Sequence, residues 1–358
     1  MIYILSTVFV LGILVFVHEL GHFIAARLAG IRVDKFSVGF GPKMFGKTVG
    51  DTEYRISWIP LGGYCKMAGM IDESLDDSEV TGGPDEFQPK SAPAKLAAVI
   101  AGPAMNFVLA FIIYVGLAMF VGVSQQTEDV SIIGQVFLDN PAAEAGIIEG
   151  DRITSIDGMP ITTWSGLTKL IHSRPGQNIL VTWERDSQPF SATIKTLSRA
   201  SEVDGVATQI GLIGIGPYLE TIPVGPIEAI SVGNQQMLRF SGDIFSLLQM
   251  LFTGRESIKS LGGPLLIAQM AGQSASSGFA SLLFFMAFLS LNLAFLNLLP
   301  VPILDGGHVV IILVESAIRR PLPLKWKMGI LQTGFIMLMA LMAFIIYNDV
   351  VRLFFGAN

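Results

Sequence analysis

The chain predicts a polytopic α-helical membrane protein: four transmembrane helices, a β-loop re-entering the membrane after the first, and one polar α+β module outside the cytoplasm. Three observations predict it. Hydrophobic residues make up 51% of the 358 and charged residues only 15%, where soluble domains carry roughly 25% charged residues. Four apolar stretches, about 2–29, 94–123, 278–299 and 328–354, are each long enough to cross a hydrocarbon core of roughly 30 Å. Between the second and third, residues 124–220 turn charged, alternating and rich in turn residues.

Composition also excludes. A net charge of −6 and the absence of a basic run leave no surface for nucleic acid. The single cysteine, Cys65, rules out an intrachain disulfide and a thiolate metal site, and reads as a small apolar filler.

The first segment has no basic start and no small-x-small cleavage site. It runs straight into His18-Glu19, so it reads as a retained span and not a signal peptide. Its last third carries His18-Glu19-Leu20-Gly21-His22. On a helix His18 and His22 share a face, a spacing that lets two imidazoles reach one Zn²⁺ with Glu19 beside them as general base. Ionisable groups at membrane depth are costly and mark function or a polar cavity. Arg27, Arg32, Lys35, Lys43 and Lys47 follow the span while nothing before it is basic. That asymmetry places this side in the cytoplasm and the N-terminus outside.

Residues 36–66 alternate β-formers with glycine, notably Phe40-Gly41-Pro42 and Pro60-Leu61-Gly62-Gly63-Tyr64. Two readings are open: an ordinary cytoplasmic hairpin, or a loop dipping into the membrane whose free edge binds an extended peptide by strand addition. Residues 72–90 read as an acidic loop. In the second segment, Gly102-Pro103 precedes Asn106, a polar residue that needs a partner in an apolar helix. An interhelical hydrogen bond, support of the metal site and contact with a bound peptide are all open to it.

The polar module, 124–220, predicts strands at 132–136, 150–158, 178–184 and 189–196, a short helix at 140–146, and a helix at 163–172 carrying His172 as a surface residue. Residues 221–280 predict amphipathic helices. The first, 224–252, is interrupted by Asn234, Arg239 and Asp243, and suits a membrane surface better than a span. The third apolar segment ends in Asn297-Leu298-Leu299-Pro300-Val301-Pro302, which breaks the helix, then Asp305-Gly306-Gly307-His308. Asp305 is either a helix cap or the third ligand that a catalytic zinc site requires. Asn297 can donate to a substrate carbonyl. For His308, packing and support of the site both stay open. Arg319, Arg320, Lys325 and Lys327 return this end to the cytoplasm before the last span. Residues 1–123 and 281–358 thus form two halves of one membrane core.

His18-Glu19-x-x-His22 with Asn297-x-x-Pro300-x-x-x-Leu304-Asp305-Gly306 resembles the site-2 protease family of intramembrane zinc metalloproteases, closest to the bacterial regulator-of-sigma-E protease type. The pattern from Pro141 to Gly158, Pro-Ala-x-x-Ala-Gly-x-x-x-Gly-Asp-x-Ile-x-x-Ile-Asp-Gly, resembles a bacterial PDZ domain, present once. The resemblance implies that His18, His22 and Asp305 bind zinc and that Glu19 activates water. It implies that Asn297, Pro300 and Pro302 hold the substrate strand, with Asn106 beside them, and that residues 36–66 form a re-entrant β-loop. It also implies a bacterial inner-membrane protease that cuts transmembrane segments of single-pass proteins, of the anti-sigma-factor kind, and remnant signal peptides, with a peptide in the PDZ groove.

Two other classes compete. A membrane PDZ adaptor with a structural metal site has no use for Glu19, and structural zinc usually takes four protein ligands. A metal transporter predicts ligands spread along a pathway across several spans, and the histidines do not provide them.

Overall fold

The computed structural model describes residues 1–70, 81–126, 129–137, 140–203, 206–257 and 262–355. It divides into two compact units, 1–120 with 225–358, and Val121–Val224.

The first unit begins with α1 (Ile2–Leu28), one unbroken helix. In lipid every backbone N–H must be bonded within the segment, and an apolar run without proline does so only as a helix. A hairpin follows, β1 (Val33–Val49) and β2 (Thr52–Met67), antiparallel and strongly bent. The bend folds β2 back, so Phe36 to Val38 lie between Tyr54 to Ile56 on one side and Gly63 to Cys65 on the other. Among the described residues Gly63–Met67 pairs on one side only and forms a sheet edge. The far part of the hairpin leaves Phe45, Ile56, Trp58 and Ile59 exposed. Residues 71–80 of the expected acidic loop lie outside the described residues; beyond them Glu86 accepts from the Thr81 and Gly82 N–H groups. Then comes α2 (Ala92–Phe120), with Pro103 inside it. A Cβ on Gly21 would strike the Ala101 carbonyl, so α1 and α2 cross in backbone contact.

The second unit comprises β3 (Val123–Gln125), β4 (Ile133–Val136), α3 (Pro141–Glu144), β5 (Arg152–Ile156), β6 (Met159–Pro160), α4 (Trp164–His172), β7 (Asn178–Arg185), β8 (Gln188–Lys195), β9 (Leu197–Val203), β10 (Val206–Leu212), β11 (Ile215–Pro217) and β12 (Glu220–Ile222). Its largest sheet runs β6-β5-β7-β8, all antiparallel. Alternation along β7 buries Ile179, Val181 and Trp183 against Ile153, Ile156, Leu167 and Ile171. Thr163 caps α4, its hydroxyl accepting from Gly166 N–H at 3.1 Å. The β9–β10 hairpin was not anticipated. Pairing of β3 with β12 closes the base, so the unit starts at 121 and ends at 224, slightly wider than the expected 124–220.

The first unit resumes with α5 (Pro226–Phe252), α6 (Pro264–Ser276), α7 (Phe279–Asn297), α8 (Asp305–Ile318) and α9 (Leu324–Phe355). The turn expected at Lys259-Ser260-Leu261 lies outside the described residues. The helix assigned to the membrane surface, α5, packs Met237, Phe240, Ile244 and Leu248 against Ala110 and Tyr114 of α2 and Ala287 and Leu291 of α7. Among the described residues four helices are long and apolar enough to cross a membrane: α1, α2, α7 and α9 through Arg352. The sequence reading passed over α8, because Gly306-Gly307 so close to two prolines reads as a loop. The glycines are there for space: a Cβ on either would strike the Leu298, Leu299 or Val301 carbonyls.

Candidate metal centre and its cavity

His18 and His22 stand one turn apart on α1, both buried, with ring centroids 4.8 Å apart. Asp305 arrives from the first turn of α8, whose N-cap is Leu304, and no side chain caps that helix. The capping role open to Asp305 is therefore not taken. The residue two before it, Ile303, has φ +79°, a left-handed conformation that a β-branched side chain adopts only at a cost. The break in the chain is what turns Asp305 toward α1.

Three candidate ligand residues converge. His18 Nε2 lies 3.2 Å from Asp305 Oδ2, His22 Nε2 lies 3.4 Å from Asp305 Oδ1, and the two Nε2 atoms are 3.2 Å apart. Ligands at about 2.0–2.2 Å from a tetrahedral zinc ion are separated by about 3.3–3.5 Å. The two imidazole nitrogens and the Asp305 carboxylate are therefore close enough together to share one such ion, and two imidazoles with a carboxylate suit zinc.

For Nε2 to coordinate, each ring must carry its proton on Nδ1. His22 Nδ1 donates to the Ala98 carbonyl at 2.8 Å. His18 Nδ1 meets the side-chain amide of Asn106 at 3.2 Å. Amide oxygen and nitrogen are assigned from their partners. Turning the Asn106 amide so that Oδ1 accepts from His18 gives a partner to an oxygen otherwise buried without one. Asn106 is fully buried, and its backbone carbonyl takes the Ser290 hydroxyl at 2.8 Å. Of the roles open to Asn106, its place behind His18 favours support of the metal site.

A cavity of about 530 Å³ opens in front of the ligands. Glu19, Asn297 and His308 line it together with Gly62 to Met67 of the sheet edge. Asn297, the last residue of α7, places Nδ2 3.3 Å from His18 Nε2. Pro300 and Pro302 do not line this cavity. Pro302 faces α9, where a Cβ on Gly334 would strike it. The two prolines form the break that redirects the chain between α7 and α8.

Sequence reasoning missed two contributors. The Ala98 carbonyl carries no residue-type signal. Gly102 was noted only as part of a motif, yet a Cβ there would land on the His22 imidazole. In the second unit, His172 lines a separate groove of about 350 Å³ with Phe137, Trp164 and Ile215.

Two histidines and a carboxylate on apolar helices, with a second carboxylate facing the same cavity, define a metallohydrolase-type centre. The chain belongs to peptidase family M50, whose model matches residues 6–341. It is 36% identical over 350 residues to a Clostridium perfringens protein named "Putative zinc metalloprotease CPE1693", covering 98% of each chain. It is 38% identical over 361 residues to "Putative zinc metalloprotease R01501" of Rhizobium meliloti, covering 97% of this chain and 96% of that one. A crystal structure of the PDZ domain of an SdrC-like protein from Listeria monocytogenes aligns with 25% of this chain and 90% of its own, at 28% identity and TM-score 0.20.

Proposed function

We propose that this peptidase is a zinc metalloendopeptidase that cuts peptide bonds within transmembrane segments of single-pass membrane proteins. The observation that carries the reading is the placing of the three candidate ligands: they sit on apolar helices, in a cavity shared with a sheet edge. A bound zinc ion supplies Lewis acidity and lowers the pKa of water toward about 7. The chain's own residues do the rest. Glu19 accepts a proton from the attacking water at its carboxylate and returns it to the leaving amine nitrogen. The Asn297 amide donates to the substrate carbonyl oxygen. A helical substrate hides its carbonyls, so it must be held extended, and the sheet edge that begins at Gly63 and Tyr64 gives that strand a place to lie.

The exposed apolar end of the hairpin supports its entry into the bilayer. The basic residues after α1 and before α9 support a bacterial plasma-membrane topology with the metal centre toward the cytoplasm and the N-terminus and second unit outside. The second unit acts in this reading as a PDZ domain, its groove taking a peptide of the substrate or of a sensor. Substrates of the anti-sigma-factor type and remnant signal peptides fit a site that requires one isolated span. A structural-metal adaptor is disfavoured by the open direction in front of three ligands and by Glu19.

The test is zinc content and cleavage of a reporter transmembrane peptide by wild type and Glu19→Gln in lipid nanodiscs. The expected result is equal zinc with a rate lowered on the order of 10²–10⁴-fold. A Glu19→Gln variant that cleaves at the wild-type rate overturns the mechanism.

A further inference from the structure

The short helix α8 carries Asp305 in its first turn and Glu315 in its last. Glu315 is buried at 8% exposure. Its Oε1 lies 2.6 Å from Lys327 Nζ at the start of α9, and its Oε2 lies 3.6 Å from Lys95 Nζ at the start of α2. The Leu322 N–H donates to the same Oε1 at 2.8 Å. Both lysines are themselves buried, and Lys327 also donates to Gln88 Oε1 at 2.9 Å. Well-packed apolar residues are often as stabilising as a buried charge cluster, so stability alone is a weak reason for this one.

What the cluster joins supplies a reason. Lys95 precedes Ala98 by one helical turn, and Ala98 and Asn106 hold the outer nitrogens of His22 and His18. So α2 carries the partners of both rings and α8 carries the third ligand. The Lys95–Glu315 contact ties those two helices. Ile312, one turn before Glu315, packs in one apolar cluster with Ala98 and Val99, a contact that tolerates sliding. Glu315 is itself fixed by Lys327 Nζ and the Leu322 N–H, and the attraction of the buried Lys95–Glu315 ion pair at 3.6 Å falls as the charges separate, so this contact tolerates less. Zinc bonds of about 2.0–2.2 Å leave little room for a displaced carboxylate.

We propose that Glu315 and Lys95 are positioning residues: the buried Lys95–Glu315–Lys327 cluster sets the register of α8 against α2 and so holds Asp305 at His18 and His22. This rests on the metal-centre reading above.

The test uses the full-length protein in nanodiscs, with zinc affinity measured by chelator competition alongside thermal stability. The variants are Glu315→Gln and Lys95→Gln, with Asp349→Asn as control. Asp349 is buried on α9 and accepts from the Gly263 and Leu265 N–H groups at 3.1 Å each, so its loss weakens the fold away from the cluster. Glu315→Gln and Lys95→Gln are expected to weaken zinc binding by about tenfold or more, as changes behind metal ligands do. Asp349→Asn is expected to lower the melting temperature and leave zinc affinity in place. Wild-type zinc affinity in Glu315→Gln overturns the proposal, as does an equal loss in Asp349→Asn. Should Glu315→Gln not fold, Lys95→Gln carries the test by the same criteria, since it keeps the Glu315–Lys327 pair. Failure of the metal-centre reading looks different: the wild type itself then binds no stoichiometric zinc.

Discussion

His22 is held from three directions. Asp305 faces its Nε2, Ala98 takes its Nδ1 proton, and Gly102 leaves space for the ring. The third is the easiest to test. Replacing glycine by alanine inside a helix normally stabilises by roughly 0.5–1 kcal/mol. Here the added methyl would land on the imidazole, so Gly102→Ala is expected to weaken zinc binding by about tenfold. Chelator competition measures it; wild-type zinc affinity in that variant would remove Gly102 from the site's support. The reactive residues themselves are legible at this scale, since His18-Glu19-x-x-His22 and Asp305 are unusual types in apolar surroundings. The Ala98 carbonyl is not legible, because every residue has one. Asn106 was legible as a polar residue needing a partner, but only packing says that the partner is His18 and not a peptide.

Among the helices, α8 was the one missed, and it bears a buried charge cluster with a pH signature. Burial pushes the Glu315 carboxyl up, but Lys327, the Leu322 N–H and Lys95 together hold it below the usual carboxylate range. A depressed folded-state pKa means that stability from this group is present above the ordinary carboxylate value of about 4.3 and is lost as pH falls below it. The gap in melting temperature between wild type and Glu315→Gln is therefore expected to be widest near pH 7 and to narrow toward pH 4. A gap constant with pH would show that the Glu315 charge contributes nothing. The hairpin makes the complementary point. Its alternation and glycines were readable, but the return of β2 past β1, which brings a sheet edge to the cavity, is a tertiary outcome.

The whole molecule is a membrane core interrupted by an insert. Val123 and Ile222 are cross-strand partners, so the insert enters and leaves through neighbouring positions, about 5 Å apart. Its hydrophobic core is its own. Replacing residues 121–224 by a short flexible linker is thus expected to leave the remaining chain folded and binding one zinc. Metal analysis and size-exclusion chromatography of that variant provide the check, and a misfolded product would show that the core depends on the insert. The same organisation explains why His18 and His22 stand far from Asp305 in the sequence: the insert separates halves that pack as one unit.

The sequence alone determined the four apolar helices, the polar insert, the two histidines and the carboxylates. These follow from composition and periodicity, which act over a few residues and need no partner. Tertiary structure decided which carboxylate faces which imidazole, that Asn106 supports a ring, that Pro300 and Pro302 bend the chain without lining the cavity, and that Glu315 ties α8 to α2. Each depends on atoms brought together from distant segments. Residue type says what a group can do, and only packing says what it meets.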